Sequence, residues 1–250
     1  MASPGEMLYR ALRERRTVPP LGPISLEESY AASRTMLERR LADGERLIGK
    51  KIGVTSPAVQ NALGVYEPDY GFLTDAMLFT DSLPVSELLI QPRAEAELAF
   101  TLARSLQGPG VTEAEVLAAV ETVHPCFEIV DSRIEDWRIR IEDTVADNAS
   151  AGLFALGEGV SPRGIDFMDV RVVVWKNDQL LSRGRGADVA IGGPLACVAW
   201  LANKLGSLGV SLEAGEIVLS GSLVPLEPVS AGDSMRLEFA GIGALEVAFT

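Results

Sequence analysis

The first 45 residues carry the apolar spacing that is typical of helices. Between residues 25 and 43, apolar side chains recur at helical intervals, Ser25 and Glu28 form a capping box, and Gly44 follows as a stop signal. A shorter helical pattern precedes this one and is followed by three prolines. We therefore predict that residues 1–45 form a helical arm or cap.

From residue 47 onward the pattern changes to short strands. In residues 95–102 every second side chain is apolar, and the alternate positions include Glu95 and Glu97. These glutamates are two residues apart, so on a strand they project from the same face. Further strands are predicted at residues 47–54, 77–80, 127–130, 170–174, 179–182, 217–220, 235–239 and 245–249.

Two more helices are predicted among the strands. The first is opened by a capping box at Thr112 and Glu115 and is closed by Pro125. The second begins near Pro194 and runs to about residue 205. Runs of strands broken by a few helices are typical of an α+β fold with a curled sheet, and not of a doubly wound parallel sheet.

The composition is that of an ordinary globular protein, with 47% hydrophobic and 23% charged residues among 250. The net charge of −13 argues against binding of nucleic acid, because phosphates require a basic surface. No apolar run is long enough to span a bilayer, and the first residues mix charged with apolar positions, unlike a signal peptide. A cytoplasmic location is the expectation.

Scarce residue types disfavour several kinds of site. Cys126 and Cys197 lie far apart without a CxxC pattern, which disfavours a disulfide framework or a zinc knuckle. The single histidine, His124, lies at the predicted helix end before Pro125, so a structural role is expected and a Ser-His-Asp triad or histidine-rich metal site is nearly excluded. The sequence at residues 184–186 lacks the third glycine of a dinucleotide fingerprint, so a nicotinamide cofactor is not expected.

Three glutamates are the strongest candidates for chemistry. Glu95 and Glu97 share a strand face, although such a face could also be exposed to solvent. Glu128 lies in the apolar segment 125–130, whose composition indicates burial, and a buried carboxylate needs a partner. Three carboxylates brought together would repel one another unless a divalent cation bound between them. An all-oxygen ligand set favours Mg²⁺ or Mn²⁺ over Zn²⁺.

Lys51 and Asp69 have ordinary as well as functional interpretations. Apolar and glycine positions follow Lys51, so its ammonium could be partly buried and available for proton transfer. It could equally be a surface lysine whose stem covers apolar area. Asp69 by itself is typical of a turn. Residues 143–150, which end at Ser150, are predicted to form a polar loop.

These segments together resemble one enzyme family. From about residue 48 to residue 249 the chain resembles the 2-oxopent-4-enoate (2-hydroxypenta-2,4-dienoate) hydratases of the fumarylacetoacetate hydrolase superfamily. Each segment alone is a weak signal, but their number and common order make the resemblance specific. The segments are residues 51–56 (KIGVTS), 67–71 (EPDYG), 92–97 (PRAEAE), 128–133 (EIVDSR), 143–150 (DTVADNAS) and 219–225 (LSGSLVP).

The resemblance implies a fold and a set of site residues. The implied fold is a mixed β-roll core of the fumarylacetoacetate hydrolase C-terminal-domain type in residues 46–250, with peripheral helices, the N-terminal arm and homo-oligomeric assembly. Residues 183–188 are more charged than expected there, which leaves the role of that segment open. The implied site residues are Glu95, Glu97 and Glu128 as ligands of Mg²⁺ or Mn²⁺, and Lys51, Asp69 and Ser150 as pocket residues.

The implied activity is that of a hydro-lyase in meta-cleavage breakdown of aromatic compounds. The carboxylate and 2-oxygen of the substrate would chelate the metal, which stabilises negative charge on that oxygen. The dienol would then become a conjugated 2-oxo acid, and water would add at C4 to give 4-hydroxy-2-oxopentanoate. Lys51 and Asp69 are the candidates for proton transfer, and Ser150 would orient substrate or water.

Two alternatives stay open. A 4-oxalocrotonate decarboxylase would use the same scaffold, although residues 220–225 look like the hydratases, since related decarboxylases tend to carry a Gly-Gly segment there. A non-catalytic subunit that supports a partner enzyme would need neither the three glutamates nor Lys51. Association with a 4-oxalocrotonate decarboxylase is a further expectation.

Overall fold

Two β-sheets form the centre of the structure. The computed structural model describes residues 2–55, 57, 60, 61, 64–189 and 191–250. The strands are β1 (Leu47–Gly53), β2 (Asp69–Thr74), β3 (Leu78–Phe79), β4 (Ser82–Leu83), β5 (Arg93–Leu102), β6 (Val120–Val130), β7 (Ala151–Leu156), β8 (Arg171–Lys176), β9 (Gln179–Arg185), β10 (Ile217–Leu219), β11 (Glu227–Pro228), β12 (Ser234–Phe239) and β13 (Gly243–Phe249).

Both sheets mix parallel and antiparallel pairs. The eight-stranded sheet has the order β2-β1-β10-β5-β6-β7-β3, with β11 also paired to β5, and the five-stranded sheet has the order β4-β13-β12-β8-β9. In the larger sheet β1 runs parallel to β10, whereas β5 is antiparallel to β6. This arrangement confirms the predicted α+β fold with a curled, mixed sheet.

Helices lie around the two sheets. Those with defined bounds in the described ranges are α1 (Pro4–Glu14), α2 (Leu26–Ala42), α3 (Val85–Leu88), α4 (Glu113–Ala119), α5 (Ile141–Ala146) and α6 (Pro194–Gly206). The Ser25–Glu28 capping box opens α2 as predicted, and α6 matches the helix predicted from Pro194. Among these helices none combines the length and apolarity that a bilayer crossing requires.

The main hydrophobic core joins the two sheets and α6. Phe100 and Phe127 of the larger sheet, Leu237 of the smaller sheet and Leu201 of α6 are all fully buried in it. Because alternate residues of β5 enter this core, the remaining residues of that strand point to its opposite face. That opposite face carries the candidate glutamates.

The predicted N-terminal arm covers one side of the structure. Leu8 of α1 and Met36 of α2 form a second apolar cluster with Ile134 and with Ala146 of α5. The arm therefore packs directly on α5, the helix that leads into Ser150. The division into an arm of residues 1–45 and a separate catalytic unit stays a prediction.

The prediction of a helix from Thr112 to Pro125 is wrong for the second half of that range. It ends at Ala119, and the following residues form β6, in which Val123 pairs with Phe100 of β5. Valines at helical spacing fit a strand equally well, because β-branched side chains favour the pleated surface once a partner strand is present. His124 therefore lies within a strand and contacts the Thr101 hydroxyl, the Thr122 hydroxyl and the Gly157 carbonyl.

Three other local predictions also differ from the structure. Residues 143–150 form α5 and a 3-10 turn and are buried, instead of making a polar loop. Asp69 begins β2 and does not lie in a turn. Of the strand predicted at residues 77–80, only Leu78–Phe79 is strand. Ser56, the last residue of the KIGVTS segment, lies outside the described residues.

Candidate metal and substrate site

Three glutamates converge across two neighbouring strands. Glu95 and Glu97 lie on β5, and Glu128 lies directly opposite Glu95 in the antiparallel register of β5 and β6. Each contributes a carboxylate oxygen to a group whose members all lie within 4.8 Å of one another. The side chains are almost inaccessible, with 6%, 0% and 1% of their surface exposed, respectively. The burial excludes a solvent-exposed strand face.

Electrostatics in this cluster disfavour three ionised carboxylates without a cation. Burial and the neighbouring Glu128 raise the pKa of Glu95 to about 7. Burial and both other glutamates raise the pKa of Glu97 well above its usual value. Burial also raises the pKa of Glu128. Each shift has the same physical cause, because a negative charge is poorly stabilised away from water and beside another negative charge.

Three of the carboxylate oxygens lack a hydrogen-bond partner among the described residues, although one of them, Glu128 Oε1, forms an ion pair with Lys51. Glu97 Oε1 and both oxygens of Glu128 accept no hydrogen bond from the described residues. Buried polar atoms rarely stay unpartnered, and several such oxygens facing one another suit a hard divalent cation. The donor set therefore fits Mg²⁺ or Mn²⁺ better than Zn²⁺, which favours nitrogen and sulfur ligands.

A glycine keeps the remaining oxygen of Glu97 in place. The Gly221 N–H donates a hydrogen bond of 2.8 Å to Glu97 Oε2. Gly221 has a φ of 92°, and a β-carbon there would lie 2.0 Å from the hydroxyl oxygen of Thr55. Only glycine fits this conformation and this space. The structure therefore explains why the segment SGSLVP (residues 220–225) has a glycine at position 221.

Lys51 lies beside the glutamates on β1. Its side chain is only 2% exposed, and its Nζ atom forms an ion pair with Glu128 Oε1 at 3.2 Å. Burial lowers the pKa of Lys51, but the negative charges of Glu128, Asp69, Glu95 and Glu97 outweigh this effect and raise it above the usual value. The surface-lysine interpretation is therefore wrong.

Asp69 faces the same space from β2. It pairs with Gly53 of β1, and a β-carbon at Gly53 would lie 2.2 Å from Asp69 Oδ1 and 3.3 Å from Lys51 Nζ. Glycine at position 53 therefore leaves the room that the two charged groups occupy. The Thr144 hydroxyl donates a 2.9 Å hydrogen bond to Asp69 Oδ2, and burial raises the pKa of Asp69.

Ser150 is presented by a strained turn. Asn148, Ala149 and Ser150 have φ values of 56°, 51° and 53°, a left-handed conformation that is unfavourable for residues other than glycine. The Asn148 side chain holds the turn to the backbone of Phe72, with hydrogen bonds of 2.8 Å to its N–H and 2.9 Å to its carbonyl. The Ser150 hydroxyl is buried and has no partner among the described residues.

A buried ion pair behind the turn was missed by the sequence analysis. Arg133 is 1% exposed, and its Nε donates a 2.6 Å hydrogen bond to Asp147, while its guanidinium also bonds the Ala151 carbonyl at 3.0 Å. These contacts tie the segment after β6 to both sides of the Ser150 turn. Arg133 occurs in the EIVDSR segment, but only the three-dimensional contacts reveal that it supports this turn.

The predicted pocket residues surround one small pocket. Its polar lining comes from Lys51, Asp69, Glu95 and Ser150, together with Thr144, which the sequence analysis did not select. The rest of the lining is mostly apolar and consists of Gly53, Val54, Val130, Trp137, Ala149 and Leu226. A lining that combines charged and apolar side chains suits a small acid that carries a hydrocarbon tail.

Comparisons with known proteins find a matching family model and similar hydratases. The family model described as the fumarylacetoacetate (FAA) hydrolase C-terminal domain matches residues 71–250. A 2-hydroxypent-2,4-dienoate hydratase of Pseudomonas putida is 60% identical over 214 residues, which cover 83% of this chain and 96% of that protein. A 2-hydroxyhexa-2,4-dienoate hydratase of Comamonas testosteroni is 51% identical, with 98% and 96% covered.

A solved structure resembles the whole chain. It is the 4-oxalocrotonate decarboxylase from Pseudomonas putida G7, complexed with magnesium and adipate. The two proteins are 31% identical and superpose with a TM-score of 0.93, covering 99% of this chain and 96% of the decarboxylase. The same scaffold therefore serves a protein whose name describes a different reaction.

Proposed function

The chain belongs to the fumarylacetoacetate hydrolase family, and we propose that it is a hydratase that converts 2-hydroxypenta-2,4-dienoate (2-oxopent-4-enoate) to 4-hydroxy-2-oxopentanoate. The observation that carries this proposal is the buried group of Glu95, Glu97 and Glu128, which an ion pair joins to Lys51. Glu95, Lys51 and Asp69 line the adjoining pocket. The hydratases that are 60% and 51% identical to the chain support the same reaction class. Such a reaction belongs to meta-cleavage breakdown of aromatic compounds.

We propose that the three glutamates hold Mg²⁺ or Mn²⁺. Their burial supports this assignment, as do the oxygens of Glu97 and Glu128 that have no hydrogen-bond partner among the described residues, and the magnesium bound by the related decarboxylase. When bound, the ion would supply Lewis acidity that stabilises negative charge on the 2-oxygen of the substrate. The negatively charged protein would thereby offer an anionic substrate a locally positive site.

Side chains of the protein would carry out the proton transfers of the reaction. The substrate loses the proton of its 2-hydroxyl and gains one at C5, and water then adds its oxygen at C4 while C3 takes up a proton. Lys51 and Asp69 border the same space and are the candidates for giving and receiving these protons. The buried Ser150 hydroxyl, which has no partner in the part of the chain that the structure describes, would orient substrate or water.

The two reactions of this scaffold can be separated by one assay. Purified protein reconstituted with Mn²⁺ is supplied in turn with 2-hydroxypenta-2,4-dienoate and 4-oxalocrotonate. We expect the dienoate to be consumed with formation of 4-hydroxy-2-oxopentanoate, and no release of carbon dioxide from 4-oxalocrotonate. Carbon dioxide release without hydration would instead establish the decarboxylase alternative. That alternative is tested because the chain superposes on the 4-oxalocrotonate decarboxylase with a TM-score of 0.93.

Replacing Lys51 by methionine is expected to lower kcat by a factor on the order of one hundred, the lower range for loss of a general acid or base. Metal affinity should be largely kept, since the three glutamates remain. Lys50→Met provides a matched control, because Lys50 is equally buried on the same strand but pairs with Glu216 at 2.5 Å. Lys50→Met should lower stability and leave kcat nearly unchanged. An unchanged kcat in Lys51→Met would remove Lys51 from the mechanism.

The remaining parts of the proposal concern assembly and location. We expect a cytoplasmic homo-oligomer that can associate with a 4-oxalocrotonate decarboxylase, and light scattering of the protein alone and with that partner would measure both assemblies. The less favoured alternative, a non-catalytic subunit, would predict metal binding without turnover until the partner enzyme is added.

A further inference from the structure

Trp137 forms part of the apolar wall of the pocket. Its ring lines the same cavity as Lys51, Asp69 and Glu95. The indole N–H is already satisfied, because Nε1 donates a 3.1 Å hydrogen bond to the Gln91 carbonyl. The ring therefore offers the pocket an apolar surface and not a hydrogen-bond donor.

The position of this ring is imposed by a strained turn. Asp136 and Trp137 have φ values of 57° and 56°, a left-handed conformation that non-glycine residues adopt only when surrounding contacts enforce it. Gln91 provides those contacts, since its Oε1 accepts a 3.1 Å hydrogen bond from Asp136 N–H and its Nε2 donates to the carbonyls of Ser132 and Ile134 at 2.9 Å each. One side chain therefore holds Asp136 of the turn and the backbone that leads into it.

A cation fixes the ring further. The guanidinium of Arg93 lies over the indole, 4.4 Å from the ring centroid, in a cation–π contact. Arg93 is the residue at which β5 begins, two positions before Glu95. The ring is thus linked to the same strand that carries two of the glutamates, so its distance from them is well defined.

We propose that Trp137 limits the length of the hydrocarbon tail that the pocket accepts. This inference rests on the proposed function, in which the carboxylate end of the substrate is bound at the glutamates. The carbon chain beyond C2 must then lie against the apolar lining. Trp137 has the largest side chain in that lining, whose other apolar members are Val54, Val130, Ala149 and Leu226. A bulky ring held rigidly at this wall favours a five-carbon dienoate over longer homologues.

The test measures tail-length selectivity after the ring is made smaller. In Trp137→Leu, the ratio of kcat/KM for 2-hydroxyhepta-2,4-dienoate to that for 2-hydroxypenta-2,4-dienoate should rise by about ten-fold or more, the range for one or two methylene groups in an apolar pocket. The matched control is Trp175→Leu, because Trp175 also lies beneath an arginine, Arg236 at 3.8 Å, but belongs to the smaller sheet. The control should keep the wild-type ratio.

A binding measurement makes the test independent of turnover. Calorimetric titration of the Mn²⁺-loaded proteins with the saturated acids 2-oxopentanoate and 2-oxoheptanoate gives the ratio of their Kd values. Trp137→Leu should shift this ratio toward the longer acid by a similar factor, and Trp175→Leu should not. If Trp137→Leu fails to fold, Trp137→Phe should show a smaller shift in the same direction.

The possible outcomes separate the inference from the proposed function. Hydratase activity with an unchanged tail-length ratio in both Trp137 variants would overturn the role of Trp137 and leave the hydratase proposal intact. A wild-type protein that hydrates no dienoate would refute the proposed function, and the two Kd ratios would still decide whether Trp137 limits the tail.

Discussion

Removal of divalent metal is expected to stop the hydration of 2-hydroxypenta-2,4-dienoate, and addition of Mg²⁺ or Mn²⁺ should restore it. A bound divalent ion contributes several kcal/mol of charge stabilisation in a transition state, so activity should fall by at least about a thousand-fold. The physical reason is specific to this site, because two of the three buried carboxylates have oxygens without a hydrogen-bond partner, and among the described residues only Lys51 forms an ion pair with the group. Continuous assay during chelation, dialysis and metal addition measures the effect.

A stability measurement accompanies this activity assay. A ligand that binds only the folded protein raises the free energy of unfolding by about 2.7 kcal/mol at one hundred times its Kd. For a chain of this size that corresponds to a rise in Tm of roughly 5–10 °C. Full activity in excess chelator, with no change in Tm on metal addition, would contradict the proposed metal chemistry.

The sequence predicts the shared strand face of Glu95 and Glu97, but it does not by itself predict that Glu128 lies beside them. The period-two spacing of Glu95 and Glu97 requires a shared face, and this is a local property of β5. Convergence with Glu128 depends on pairing between β5 and β6, whose register is a long-range property. The apolar neighbours of Glu128 indicated burial, and only the resemblance to a family indicated which carboxylates it would meet.

Local patterns failed where distant contacts decide the conformation. The polar residues of 143–150 are typical of a loop. In the structure, however, Asp147 forms an ion pair with Arg133, and Asp143 accepts a hydrogen bond from the Leu21 N–H. The Asn148 side chain bonds the N–H and the carbonyl of Phe72, as a neighbouring strand would. These three polar side chains are satisfied by residues outside the segment, which helps the segment to be buried. Helical spacing of valines after Thr112 was likewise overridden by pairing with β5.

The turn that presents Trp137 left almost no sequence signal. Left-handed backbone is usually expected at glycine, asparagine or aspartate, so Asp136 is tolerated there but Trp137 is not a residue that predicts it. The contacts that enforce it come from Gln91, more than forty residues earlier. Selectivity for the substrate tail is therefore the part of the proposed function that depends most on the three-dimensional structure.

Glu97→Gln is expected to lose metal binding and turnover together. The amide can still accept the hydrogen bond from Gly221 N–H, so its NH₂ group would replace the oxygen that faces Glu95 and Glu128. A neutral donor cannot ligate a dication, and we expect at least a hundred-fold weaker metal binding, the upper range for loss of a supporting group around a metal, with a comparable loss of kcat. Titration with Mn²⁺ followed by paramagnetic resonance measures the affinity.

The same substitution separates a metal site from a merely structural carboxylate. Without metal, Glu97→Gln should be at least as stable as the wild type at neutral pH, because burial and two neighbouring carboxylates raise the pKa of Glu97 and so make its ionisation in the folded protein unfavourable, a cost that glutamine does not have. With Mn²⁺ the order should reverse, since only the wild type gains stability from the ion. Glu246→Gln on the exposed face of β13 is the matched control and should respond to Mn²⁺ as the wild type does. A Glu97→Gln protein that keeps both the rise in Tm with Mn²⁺ and its turnover would show that this carboxylate is not a ligand.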